Sequence, residues 1–258
     1  MLKAGNGFFA MWTGVAPAVA PAFELMHARD HLGEHLTYLG EGGILWARRY
    51  GEGQGALPPS FAFYGMADLD RLTGPGAADR QVHETEMFKT IRPHYRDRIA
   101  HHCRVLGSAG AGTGSGVATF LLDLHTDGGS PPELADRLTQ LPAVTAAHIG
   151  IIDWTVPIRA GGMPPSCPAG DERLGIAIVE SFSRWRLAAA LAPITALLQE
   201  AGTVRSAGHY AFSYALDYAE VPALLHHRRD HEVAPQRHWR EHESDQFRPS
   251  ENQKGGRT

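Results

Sequence analysis

Four side chains able to do proton chemistry crowd into one short stretch: His27, His31, Glu34 and His35, within PAFELMHARDHLGEHLTYLGEGGILWARRY (residues 21–50). Imidazole titrates near neutral pH, so a positioned histidine can take and return a proton under working conditions. Histidines four apart repeat on one side of a helix, which sets His27, His31 and His35 in a stripe. Glu34 follows His31 by three residues and is placed to orient that ring and raise its basicity. The same spacing could share a metal ion. The residue after His27 is Ala28, however, where the zinc-protease helix motif carries its glutamate. General acid/base chemistry is therefore the first reading, with His31, His27 and Glu34 as candidates and no cofactor. A transition metal held by the His27/His31/His35 stripe is the alternative.

His148 is the other candidate. It sits inside the apolar run VTAAHIGII, a costly place for an unpaired polar ring. Strand alternation puts it on one face with Ala146, Gly150 and Ile152. There it either lines an interior cavity and acts on a substrate or is satisfied by a backbone carbonyl. Other chemistry finds no support. GAGTGSG lacks the Lys-Ser/Thr pair of a phosphate loop and precedes a strand rather than a helix. Ser181, Ser183, Cys103 and Cys167 lie in no nucleophile motif.

The histidine stripe needs a helix to carry it. Pro21 suits the first turn, where its missing N–H is not required. Leu25, Ala28, Leu32 and Leu36 supply an apolar stripe, and Gly40, Gly42 and Gly43 end the element. On an ideal helix, at 100° per residue, His27, His31 and Glu34 lie well round from the leucines. They are expected to face solvent unless another element or a second subunit covers them. Around this helix the pattern predicts strands at residues 8–15, 44–50, 61–66 and 102–109, with a short helix from Asp68 and a charged one over 82–99. The order strand, helix, strand, strand, helix, strand is that of a split ferredoxin-like unit.

After a small-residue linker at 109–116 the order repeats. Strands are expected at 117–125, 143–153, 174–180 and 206–216, with helices at 131–141 and 184–201. The chain thus divides into units at 1–112 and 113–219, each of ordinary domain size, and a polar tail at 220–258. That tail holds His226, His227, His231, His238 and His242 and is too polar beyond Asp230 to fold alone. A binding or assembly module recruiting a partner through this tail is a third reading, of a non-catalytic kind.

A net charge of -4 gives no electrostatic case for nucleic acid or an anionic membrane. Two cysteines make no disulfide framework and suit a reducing compartment. The N-terminal apolar run is broken by Gly7, Trp12, Thr13 and Gly14, reading as a strand rather than a secretory signal. No stretch approaches the ~20 apolar residues of a membrane-spanning helix. Cytoplasmic location is the default.

The residues at 8–68 also resemble a known superfamily. A strand, a helix carrying an acid followed by His (Asp30-His31), Leu36, and a turn into a strand ending Arg48-Arg49-Tyr50 look like the dimeric α+β barrel proteins, EthD-like members in particular. Gly33 stands where proline is usual, and the LGEGG turn lacks that pattern's proline. The resemblance implies an α+β fold of two tandem ferredoxin-like units forming a dimeric-barrel architecture within one chain. It also implies a pocket for a small, aromatic or polyketide-like molecule. Activities of the superfamily include cofactor-free monooxygenation, isomerisation, cyclisation, elimination and haem chemistry. The helix at 184–201 has no His, Cys or Tyr to ligate haem. Of the motif residues, His31 corresponds best, then His27 and Glu34. Single-unit relatives must dimerise to close a barrel, whereas a tandem chain can close one alone, so a monomer and a further homodimer both fit.

Overall fold

The computed structural model describes residues 5–38, 43–74, 85–126, 129–159 and 162–221, without the side chains of 29, 30, 37 and 38. The histidines of the polar tail lie outside the described residues. Among the described residues there are eight strands: β1 (Gly7–Val15), β2 (Ile44–Gly55), β3 (Ser60–Met66), β4 (Tyr95–Gly110), β5 (Gly116–Leu124), β6 (Val144–Ile152), β7 (Leu174–Ser181) and β8 (Gly202–Asp217). They close into a barrel in the order β1-β3-β2-β8-β5-β7-β6-β4, every neighbouring pair antiparallel. Read round the barrel, β4-β1-β3-β2 is the ferredoxin-like order, and β8-β5-β7-β6 repeats it. The seams are β2 with β8 and β4 with β6. The fold class is thus as the sequence predicts.

Alternation along each strand separates two faces. Phe8, Trp12, Tyr50, Phe61 and Phe63 point into the barrel and meet Val117, Ile176, Ile178 and Tyr210 from the other half. Trp12 Nε1 donates to Thr119 Oγ1 (3.0 Å), tying β1 to β5 through the buried interior. The outer face of β5–β8 is covered by α4 (Pro131–Thr139) and α5 (Arg184–Ala201) through Leu134, Leu138, Leu187, Ile194 and Leu198. Ser183 caps α5 by accepting from Arg186 N–H.

The outer face of β1–β4 carries the remaining helices: α1 (Ala20–Met26), a π-helical turn at His27–His31, α2 (Leu32–Tyr38) and α3 (Glu86–Ile91). Two expectations change here. The charged helix over 82–99 is cut short: α3 ends at Ile91, a 3-10 turn follows over Arg92–His94, and Tyr95–Ile99 already belong to β4. Pro93 sits inside that 3-10 turn and has no N–H with which to continue the α-helical hydrogen bonds. The small-residue segment is also shorter than a free linker. β4 runs through Gly110, whose φ of 79° suits glycine, and Ala111 N–H donates to the Thr145 carbonyl.

Candidate functional site

The helix of histidines is buried, not solvent-facing. His27 is fully buried, while His31 and Glu34 are 5% and 7% exposed. Within the stripe the helix makes a π turn, in which Leu32 N–H donates to the His27 carbonyl, five residues back. That inserts one residue into the helical count and turns everything after it by about 100° relative to an ideal wheel. The correction brings His31 and His35 round beneath Phe23 and His27. α3 then covers them from the side, with the Phe88 ring stacked on His31 at 4.5 Å between centroids.

The rings form a connected column. His27 and His31 meet edge-on at 4.9 Å, His31 and His35 at 4.3 Å, and His35 lies 5.3 Å from Tyr64. His27 Nε2 shares a 3.2 Å hydrogen bond with Tyr95 Oη. His31 Nδ1 lies 3.7 Å from Glu34 Oε2, beyond hydrogen-bonding range, and has no hydrogen-bond partner. Behind His27, buried Arg49 is held by Glu24 (Nη2–Oε1 2.8 Å, Nε–Oε2 3.2 Å) and lies over the Phe23 ring.

Burial sets the protonation of this column. It lowers His31 well below the ordinary imidazole value, helped by His35 and then Arg49, Arg98 and Arg159. His27 is lowered likewise by burial, then by Arg49 and its neighbouring histidines. His35 falls to about 4, from burial with Arg98 and Arg159. The rings are neutral at pH 7, so a proton-accepting nitrogen is always present, as a weaker base than free imidazole.

His31 and His35 line an open cleft between the helices and the outer face of the sheet. Phe9, Met11, Met66 and Phe88 make its apolar walls, and His102 joins the lining from β4. Burial takes His102 down to about 3. Tyr95, Arg92, Arg98 and Arg159 complete the lining, the three arginines at exposed positions. Sequence reading had not singled out these last five. For His102 and Arg98 the signal lay in the two-residue alternation of YRDRIAHHC, hidden by assigning its first part to a helix.

His148 lies elsewhere, inside the barrel, on the opposite face of the sheet from the cleft. Its Nδ1 is 2.7 Å from Ser108 Oγ, and its Nε2 is 3.4 Å from Glu180 Oε1, unaligned for a hydrogen bond. Glu180, fully buried, accepts from Arg48 Nη1 (2.5 Å), Tyr50 Oη (3.1 Å) and Gly114 N–H (3.1 Å). Burial would raise the Glu180 carboxyl, but His148, Arg48 and that N–H together hold it below the usual range. Burial keeps His148 below its ordinary value against the pull of Glu180. Sequence reading missed Glu180, although a carboxylate in the apolar run LGIAIVES carries the signal that marked His148.

Among the described residues no three His, Cys, Asp or Glu side chains are grouped to hold a metal ion. No described helix is long and apolar enough to cross a membrane.

No protein-family model matches the chain, and no curated protein matches it in sequence. Solved structures do. An anthrone oxidase-like protein is 12% identical, with a TM-score of 0.54 over 85% of this chain and 96% of its own. The fold is that of the dimeric α+β barrel proteins. A heme-binding protein from Thermus thermophilus is 11% identical (TM-score 0.43, 86% of this chain, 95% of that one). A monooxygenase-like protein from Listeria innocua is 12% identical (TM-score 0.36, 80% and 94%). At such identities the likeness is one of architecture.

Proposed function

We propose that the chain is a small-molecule enzyme that works by proton transfer in the helix–sheet cleft, with His31 as general base. The observation that carries this reading is a neutral imidazole lining an aromatic-walled cleft, between a second imidazole and a stacked phenyl ring. His31 takes a proton from carbon next to a carbonyl and becomes imidazolium, while the substrate becomes an enolate. Returning the proton at another position isomerises the substrate; expelling a leaving group from the enolate eliminates; attack on a second carbonyl cyclises. The enolate is also the electron-rich species that cofactor-free oxygenation begins from. Glu34 stabilises the imidazolium, and His27, through Tyr95, holds the column in place. His148 acts outside this cleft as part of the barrel interior.

An aromatic or polyketide-like ketone suits the flat, ring-lined walls, in keeping with the EthD-like resemblance of residues 8–68. The barrel is complete within one chain, so a homodimer is not needed to build the cleft. The test is solvent-deuterium exchange into anthrone, a flat aromatic ketone with an acidic C–H, followed by NMR. Wild type is expected to exchange it faster than buffer does. His31→Asn is expected to lose about 100-fold or more of that enhancement, with His148→Ala close to wild type. Exchange unchanged by His31→Asn sinks the proposal. A stoichiometric transition metal in tag-free protein would move the assignment to the metal alternative.

A further inference from the structure

A second grouping of proton-transfer side chains lies at one end of the barrel, apart from the cleft, and has no part in the chemistry proposed there. Cys103 packs in the barrel interior, and Ser108 stands an odd number of residues further along β4, so plain alternation would turn Ser108 outward. A β-bulge between Val105 and Gly107 absorbs one residue and brings Ser108 back to the interior face, directly across from His148 on β6. The neighbours of Ser108 along and across the strands are small: Gly107, Ala109, Gly110, Ala146 and Ala147. Ser108 is exposed, whereas His148 behind it is 2% exposed. Behind His148 again lies Glu180, its buried carboxylate fixed by Arg48, Tyr50 and the Gly114 N–H.

We propose that Ser108 is a nucleophile for short-chain esters, with His148 as its base and Glu180 as the group that positions the imidazole. Ser108 Oγ and His148 Nδ1 are 2.7 Å apart, a distance a proton crosses during attack. For Nδ1 to accept, the ring proton must sit on Nε2. That nitrogen faces Glu180 Oε1 at 3.4 Å, and a negative oxygen there favours an N–H over a lone pair even without hydrogen-bond alignment. Burial acts against the charge on Glu180, but His148, Arg48 and the Gly114 N–H outweigh it. As Oγ bonds to the ester carbonyl carbon, its proton passes to His148 Nδ1. The bond from that carbon to the alcohol oxygen then breaks, and the departing alkoxide takes the proton and leaves an acyl-Ser108. Water attacks the acyl carbon while His148 takes its proton, and Ser108 Oγ recovers that proton as the acid leaves. The Phe63 ring, 5.6 Å from His148 between centroids, and the packed interior beyond it keep the acyl group beside Ser108, which selects short chains. An exposed hydroxyl on a buried base separates this arrangement from a hydrogen bond that only satisfies a core histidine.

The test treats the full chain with p-nitrophenyl acetate and follows acetylation of individual serines by peptide mass spectrometry, with exposed Ser166 and Ser213 as internal references. Ser108 is expected to acetylate about 100-fold faster than either, and His148→Asn to bring it down to their rate. Release of p-nitrophenolate beyond one equivalent per chain reads the water step, and release that stops at one equivalent overturns that step. Heteronuclear NMR of wild type is expected to place the His148 ring proton on Nε2, and Glu180→Gln to mix the two tautomers. Ser108 acetylated no faster than Ser166 and Ser213 overturns the proposal without any variant having to fold. A ring proton on Nδ1 overturns it too, because His148 would then donate to Ser108 and could not take its proton. A tautomer unmoved by Glu180→Gln removes Glu180 from its positioning role.

Discussion

Burying imidazoles to keep them neutral ties the stability of this fold to pH. His102 titrates at about 3 and His35 at about 4 in the folded chain, against roughly 6.5 when unfolded. Between those values the unfolded chain binds protons that the folded chain refuses, so acid favours unfolding. The stabilisation is fully present above about pH 6.5 and drains as pH falls toward the folded values. At about pH 5 a single such histidine has forfeited roughly 2 kcal/mol, and the two together, with half-buried His35 discounted, about 3–4 kcal/mol. That is a large part of the roughly 5–15 kcal/mol that holds a typical domain. His27 and His31, lowered in the same direction, steepen the loss. The decisive perturbation is His102→Gln, which removes one titrating ring from the wall beside Phe9. Urea unfolding followed by fluorescence of buried Trp12 and Trp46, at about pH 7 and about pH 5, gives the difference in stability for each protein. Wild type is expected to lose about 3 kcal/mol or more between them, and His102→Gln about 2 kcal/mol less, whatever its absolute stability. An identical pH difference in the two proteins would refute a neutral buried His102.

Other perturbations read other parts of the fold. Glu180→Gln leaves Arg48 without its buried counter-charge and is expected to cost about 3 kcal/mol in urea unfolding, with Arg48→Met/Glu180→Met recovering most of it. Gly65→Ala drives a Cβ to within 2.2 Å of the Trp46 ring and is expected to cost about 1–3 kcal/mol, seen as a lower midpoint of thermal unfolding. Trp12→Phe and Thr119→Val, combined in a double-mutant cycle, should show a coupling of about 1 kcal/mol from their shared hydrogen bond across the barrel. Arg49→Lys keeps the charge but loses the paired contact with Glu24, and is expected to cost about 1 kcal/mol.

The architecture was largely legible because alternation and punctuation agree. Aromatic-rich runs such as GFFAMWTGV and SFAFYGM mark buried strands, Pro131 opens α4, and Ser183 followed by an apolar run starts α5 at the position read from sequence. The site was legible only in part. The residue types of the His27–His35 stripe stand out, but their direction does not, because no local signal announces that the helix will take an i→i+5 turn. The stretch that carries this turn packs, through Phe23 and Met26, against Phe88 and Ile91, contacts made across some sixty residues. The cleft's other wall depends on where β4 begins. A stretch as charged as YRDRIAHH reads as a helix until its pairing with β1 is known.

Closure within one chain has a consequence for how such a protein can work. A barrel built from two identical subunits must carry every feature twice, related by a two-fold axis. Here the two outer faces have diverged. One presents imidazoles, guanidinium groups and an open cleft, and the other is sealed by Leu134, Leu138, Leu187, Ile194 and Leu198. The sealed outer face answers to packing, while the opposite outer face accepts the instability of buried titratable rings. Ligand saturation should therefore follow one class of site at one equivalent per chain, and changes that strengthen the aliphatic face can offset what the histidine face gives up.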